Sequence, residues 1–286
     1  MTDRLTLPAP AKLNLFLRVL AREADGFHSI ETLFCRLDLA DELTAERRAG
    51  DEVSIEVTGG DTGPAADNLA VRAAKLVLEA TGRRFGVHLT LTKRVPVRAG
   101  LGGGSSDAAA ALTAVNRLAG DAIPRHEILQ LAARLGSDVP FFASGAALAL
   151  AWGHGERMLV LPGLPRASGL LVIPERGVST AEAYQWVDGA REGAGRRGSV
   201  ALSGESLATW GDVARMAGND FESPVFGRLP EVRAAFEVLA STHPLVCRMS
   251  GSGSALFAIY RTASEREDAK LRFGRKHGAV IGFETA

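Results

Sequence analysis

Residues 96–112, PVRAGLGGGSSDAAAAL, place four glycines, two serines and an aspartate ahead of a run of alanines. Consecutive glycines weaken the interior of any helix or strand, so their presence needs a use that offsets the cost. A strand-like pattern precedes them and a helix-like pattern follows. The start of a helix offers unpaired backbone N–H groups and the positive end of the macrodipole. Glycines there remove every Cβ that would keep a bulky anion at a distance. The chemistry this suits is phosphate binding by a backbone cradle. A Walker A loop needs a lysine after its glycines, and none follows here. Counting GxGxxG from Gly100 puts Ser105 where the third glycine belongs, so the dinucleotide fingerprint fails. The HRD and DFG motifs of protein kinases and the GxSxG elbow of hydrolases are missing from the chain.

The cradle requires elements to hold it. Residues 87–92 alternate as a strand should, and residues 108–119 read as an apolar helix closed by Gly120, with Ser105, Ser106 and Asp107 as capping candidates. Residues 12–19 and 54–57 repeat the strand pattern, with the first half-buried. Residues 68–81 are expected as a helix stopped by Gly82, and Pro124 opens another that Gly136 ends. Residues 143–152, 169–174 and 255–260 read as further strands, and residues 180–187, 231–240 and 264–277 as helices. The most linker-like stretch is 189–204. Interspersed strands and helices with antiparallel pairs give an α+β expectation in two lobes, 1–156 and 157–286.

Composition narrows the functions further. Lysine plus arginine and aspartate plus glutamate both number 33 in 286 residues, so no overall basic field points to nucleic acid. The two cysteines, Cys35 and Cys247, allow one disulfide arithmetically but suggest no staple framework, and no CxxC or HxxxH pair argues for zinc. The longest purely apolar run, 146–152, is far short of a membrane span, and the first residues lack a signal-peptide pattern. The expectation is a cytoplasmic protein with no nucleic-acid or membrane partner and no required protein partner.

With the common cradles excluded, residues 96–112 resemble the second motif of the GHMP kinases. Residues 9–34, APAKLNLFLRVLAREADGFHSIETLF, are similar to that family's first motif, and residues 248–260, RMSGSGSALFAIY, to its third. The three occur in the family's order and span almost the whole chain. The triple glycine followed by SSDAA is similar to one branch, which phosphorylates a cytidine-diphosphate-linked methylerythritol in non-mevalonate isoprenoid synthesis. The resemblance implies the two-lobed GHMP kinase fold with its active site between the lobes. ATP is then the co-substrate, Mg²⁺ accompanies it, and the partner is a small molecule carrying a cytidine diphosphate.

The same resemblance assigns roles. Asp138, in LGSDVPFF, matches the family's catalytic aspartate, a carboxylate able to take the proton of the attacking 2-hydroxyl. Lys12 matches the active-site lysine, whose ammonium stabilises developing charge. Val97, Arg98, Ala99, Gly100, Leu101, Gly102, Gly103, Gly104, Ser105, Ser106 and Asp107 form the ATP loop, with Asn68 and Lys93 near the adenosine. Asn14 and His28 match substrate positions suited to the Watson–Crick edge of cytosine. Phe27 stands where the family often has tyrosine; it keeps a ring for stacking but has no hydroxyl. Thr180 and Tyr184 resemble the opposite wall. Metal ligands are not legible. Two alternatives stay open: a homoserine or mevalonate type of GHMP kinase, which needs no cytidine pocket, and a nucleotide-binding regulator without turnover.

Overall fold

The computed structural model describes residues 3–24, 26–82, 85–191, 202–274 and 277–286. Its first sheet is built on a long hairpin of β1 (Arg4–Arg22) and β2 (His28–Arg48). It also contains β3 (Val53–Thr58), β4 (Gly86–Thr92), β5 (Leu148–Gly153) and β6 (Arg157–Leu161). The strand β2 pairs along one flank with β1, and along the other with β4 through residues 42–48 and with β5 through residues 30–35. Pairing is antiparallel except between β3 and β4. Four helices serve this sheet: α1 (Leu69–Thr81), α2 (Gly103–Leu118), α3 (Arg125–Leu135) and α4 (Val139–Ser144).

A second sheet, in the order β10 (Ala279–Glu284), β7 (Ser168–Ile173), β9 (Leu256–Tyr260) and β8 (Val246–Met249), is antiparallel throughout. Its helices are α5 (Thr180–Arg191), α6 (Trp210–Met216), α7 (Glu222–Arg228), α8 (Pro230–Ala240) and α9 (Ala263–Lys270). The two sheets share a core in which Leu13, Leu15 and Leu33 meet Leu171, Phe257 and Phe283. Burying each such side chain contributes about 1.5–3 kcal/mol. Backbone bonds stitch the halves as well: Leu17 N donates to Gly218 O (2.8 Å) and Ala255 N to Ala99 O (3.2 Å).

The expected elements are largely present, with instructive differences. Helix α1 has Asn68 as its N-cap, the side chain accepting from Ala70 N, and Gly82 as its left-handed C-cap. Residues 12–19 are buried on both faces rather than half-buried, because the second sheet covers what solvent would otherwise reach. Residues 143–152 divide between the end of α4, its stop at Gly145 and β5. The helix expected over 264–277 ends at Lys270. Gly189 and Ala190 continue α5 instead of starting a linker, and residues 192–201 lie outside the described residues. The lobe limit at 156/157 falls inside the β5–β6 hairpin; the pairing favours a limit in 162–167, which leaves the hairpin whole.

The main difference is α2, which begins at Gly103 and not at residue 108. Gly102 is its N-cap, in the left-handed region at φ 72°, and no side chain caps the helix. Ser105, Ser106 and Asp107 therefore lie inside the first turns rather than before them. Ala108, Ala111 and Ala114 are fully buried, and these small residues let the helix lie close to its neighbours.

Both cysteines are free thiols. Burial pushes each up to about 12, so neither is a thiolate near neutrality. We expect no reaction with a disulfide reagent such as Ellman's at pH 8 in the folded protein, and two thiols titrated once it is unfolded.

Candidate active site

The cradle's shape depends on a second glycine loop. A Cβ on Gly100, at φ 79°, would lie 2.3 Å from the Ser250 carbonyl oxygen. Ser250 Oγ in turn donates to Gly100 O at 3.0 Å. Gly102 has its own constraint, since a Cβ there would press on the Phe142 ring and the Lys12 side chain. Gly104 differs: nothing lies within 4 Å of its would-be Cβ, and it lines a cavity of about 500 Å³ together with residues 96–105, Asn68 and Lys93. Uncapped N–H groups at the head of α2 open onto this same space, where an anion can satisfy them.

This arrangement makes a sharp prediction. Gly104→Ala replaces a glycine in the first turn of α2, so it should stabilise the fold by less than the roughly 1 kcal/mol of a helix-interior site. Its methyl group also enters the cradle, so the KM for ATP should rise at least tenfold. Steady-state kinetics beside thermal unfolding checks both signs.

A second cavity, of about 690 Å³, adjoins the first and shares Gly100, Gly102 and Thr180 with it. At the join, one face of β1 presents Lys12 and Asn14, two residues apart as the pleat requires. The β1–β2 register shifts just before Lys12 and just after Asn14, irregularities of the kind that re-aim side chains. Lys12 Nζ donates to Asn14 Oδ1 (2.6 Å) and to Gly100 O (3.1 Å), and lies 3.4 Å from Asp138 Oδ2. Asn14 Nδ2 donates to Thr32 Oγ1 (2.8 Å), which donates to Phe16 O (2.7 Å). Lys12 is buried while the Asp138 side chain keeps 29% exposure and opens into the second cavity. A cation is thus fixed between the phosphate loop and a carboxylate that a ligand can reach.

Asn14 lines the second cavity as expected of a substrate position, and its amide also accepts from Lys12 and donates to Thr32, so it orients the lysine. Lys93 lines the first cavity and has a structural task as well. Its ammonium is buried between the carboxylates of Asp41 and Asp107, the latter at 2.7 Å. Asp41 further accepts from Arg94 N (2.5 Å) and Val95 N (2.7 Å), tying the approach to the loop. Burial pushes the Asp107 carboxyl up from the usual range, against the pull of Lys93. Asn68 lines the first cavity but spends its side chain on the α1 cap and on Thr62 Oγ1 (3.2 Å).

Deeper in the second cavity, His28 stacks on Tyr184 with ring centroids 4.6 Å apart and planes 17° from parallel. Tyr184 meets the edge of Phe221 at 4.9 Å, and burial, with Asp138 nearby, pushes its hydroxyl up to about 12. Phe27, 63% exposed at the hairpin tip, stacks on His154 at 5.2 Å. The two rings expected as opposite walls, Phe27 and Tyr184, are therefore each laid against a histidine. Thr180 Oγ1 lies 3.2 Å from Ser252 Oγ, closing the rim between α5 and the third motif.

Two family models match the chain: the GHMP kinases N terminal domain over residues 68–146 and the GHMP kinases C terminal over residues 199–280. Together they cover more than half of it, and the first includes the loop and Asp138. The protein belongs to the GHMP kinase family.

This GHMP kinase is 42% identical over 262 residues to 4-diphosphocytidyl-2-C-methyl-D-erythritol kinase of Solibacter usitatus, covering 89% of this chain and 81% of that one. It is 38% identical over 285 residues to the enzyme of the same name from Parvibaculum lavamentivorans, covering 97% and 96%. A crystal structure of 4-(cytidine 5'-diphospho)-2C-methyl-D-erythritol kinase superposes with a TM-score of 0.82 at 35% identity, covering 99% of both chains. L. major mevalonate kinase in complex with R-mevalonate reaches a TM-score of 0.71 at 14% identity, over 100% of this chain and 97% of that one, a likeness of fold.

Sequence reasoning missed several residues of the kinase's site. Asp41, Thr32, His154 and Asp188 meet their partners 52, 18, 131 and 160 residues away. No local pattern announces such pairs. Only Asp188 had a signal, because it falls four residues after Tyr184 and so on the same face of α5.

Proposed function

We propose that the protein transfers the γ-phosphoryl group of ATP to the 2-hydroxyl of 4-diphosphocytidyl-2-C-methyl-D-erythritol, the compound its relatives are named as kinases of. The observation that carries this reading is the meeting of two cavities at Gly100 and Gly102, beside Lys12 and Asp138. The first cavity has a backbone cradle for a triphosphate. The second has room and aromatic surface for a cytidylated alcohol, whose hydroxyl comes to rest at Asp138. Asp138 takes the hydroxyl proton as the oxygen attacks in line. Lys12, anchored by Asn14 and Gly100, stabilises the charge on the transferring group without having to reorganise. The attacked carbon is tertiary and crowded, so much of the rate comes from positioning.

ATP is the co-substrate that membership of this kinase family implies. Mg²⁺ fits beside it: that ion keeps most of its water and phosphate ligands and needs few protein oxygens. Ser106 Oγ and Asp107 Oδ1, buried at the head of α2 without a partner among the described residues, are oxygens of the required hard type. When bound, the ion neutralises phosphate charge. Among the described residues no helix is long and apolar enough to cross a membrane. A cytoplasmic place in non-mevalonate isoprenoid synthesis follows from the reading.

A homoserine or mevalonate type of acceptor would leave the His28–Tyr184 surface unused, and a regulator without turnover would have no need of a lysine held 3.4 Å from a reachable carboxylate. The test is ADP release with Mg-ATP across the cytidylated alcohol, its uncytidylated phosphate, homoserine and mevalonate. Turnover with the first alone is expected. Turnover with another alcohol would keep the cradle and remove the pocket assignment, and silence on all four would favour binding without catalysis.

A further inference from the structure

Asp188 takes no part in phosphoryl transfer as described, yet its carboxylate is spent on the side chain at the far end of the acceptor cavity. Its Oδ1 lies 2.7 Å from His28 Nε2, and Arg22 Nη1 lies 3.7 Å from its Oδ2. Tyr184, one helical turn earlier on α5, holds the same imidazole by its face. The ring is therefore clamped in both plane and rotation, and it is 94% buried while still lining the cavity.

We propose that Asp188 is a specificity-determining positioning residue, which fixes the tautomer of His28 so that the cavity accepts an amino-bearing pyrimidine and rejects its oxo counterpart. A carboxylate can only accept, and a neutral imidazole has one proton to give, so the contact places that proton on Nε2. Nδ1 is left as an acceptor, and it has no hydrogen-bond partner among the described residues. Cytosine offers an exocyclic amino donor where uracil has a carbonyl oxygen. The first completes a hydrogen bond with Nδ1; the second sets two lone pairs against each other. A buried polar site rejects a ligand that leaves it unpaired far more strongly than an apolar site rejects an extra group. The inference rests on the cytidine reading above and adds the residue that enforces it.

The experiment compares wild type, Asp188→Ala and Asp188→Asn on the cytidylated alcohol and its uridylated analogue, with ATP kinetics alongside. Wild type is expected to prefer the cytidylated compound by about a hundredfold in kcat/KM. Asp188→Ala should raise the KM for that compound about tenfold, leave kcat and the KM for ATP in place, and bring the two compounds within about threefold. Asp188→Asn, whose amide oxygen still accepts from Nε2–H, should restore most of the preference. Nitrogen NMR of the wild-type histidines supplies a second readout that needs no variant, with His28 expected to be protonated on Nε2. A wild-type ratio retained in Asp188→Ala, a wild type indifferent to the base, or His28 protonated on Nδ1 would each overturn the proposal while leaving the kinase reading in place. No turnover of the cytidylated compound by wild type would overturn both.

Discussion

Asp138→Asn should bind ATP within about twofold of wild type and turn over about a thousandfold more slowly, a general base being worth about 10²–10⁴ in rate. The substitution preserves shape but removes the basic oxygen, and with it the charge that faces Lys12 at 3.4 Å. Asp138 lies in the acceptor cavity and is not among the residues lining the cradle, so the nucleotide has no direct reason to notice. Lys12→Ala supplies the contrast. That ammonium also donates to Gly100 O, so its loss should disturb the loop and raise the KM for ATP as well as lower kcat. Rapid-quench measurement of the chemical step, with nucleotide affinity by titration, separates the two. Turnover of Asp138→Asn near the wild-type rate would remove this residue from the mechanism.

Lys93→Met should destabilise the protein by about 3–5 kcal/mol, the usual consequence of stripping one partner from a buried ionic group. The methionine fills the space but leaves Asp41 and Asp107 facing each other in a dry interior without the charge between them. Urea unfolding reads the loss directly. The alternative, in which Lys93 serves the adenosine, predicts a raised KM for ATP at unchanged stability, the reverse of the outcome expected from this burial. Asp41→Asn together with Lys93→Met should recover part of the stability, because the uncompensated charge is then halved.

These two residues mark what could and could not be read from the chain. The glycine loop, its preceding strand, and the caps of α1 at Asn68 and Gly82 are local chemistry, legible from neighbours in sequence. Local pattern puts the start of α2 five residues late because glycines count as breakers, whereas the helix begins at Gly103 with its end uncapped. The strand β2 escaped notice altogether. Its 21 residues include Glu31, Arg36, Asp41 and Glu42, charges that spoil an alternating pattern until their partners are known: Arg18 for Glu31, the Gly145 carbonyl for Arg36, Lys93 for Asp41, Arg94 for Glu42. The roles of Lys12 and Asp138 came from resemblance and not from spacing, since 126 residues separate two groups that the fold brings to 3.4 Å. Asn14 and Lys93 line the cavities that the resemblance gave them, and the fold adds bonds to Thr32 and Asp107 that a motif match does not reveal.

The contact of Gly100 with Ser250 joins points 150 residues apart, and the cradle takes its form from both. A fragment ending before the third motif would contain every glycine of the loop and still lack the anvil on which it is bent. Nucleotide capture is in this sense a signal of completed folding. A fluorescent ATP analogue added during refolding should stay dark while the first sheet assembles and brighten only when the second docks, and two separately expressed halves should regain it only on reunion.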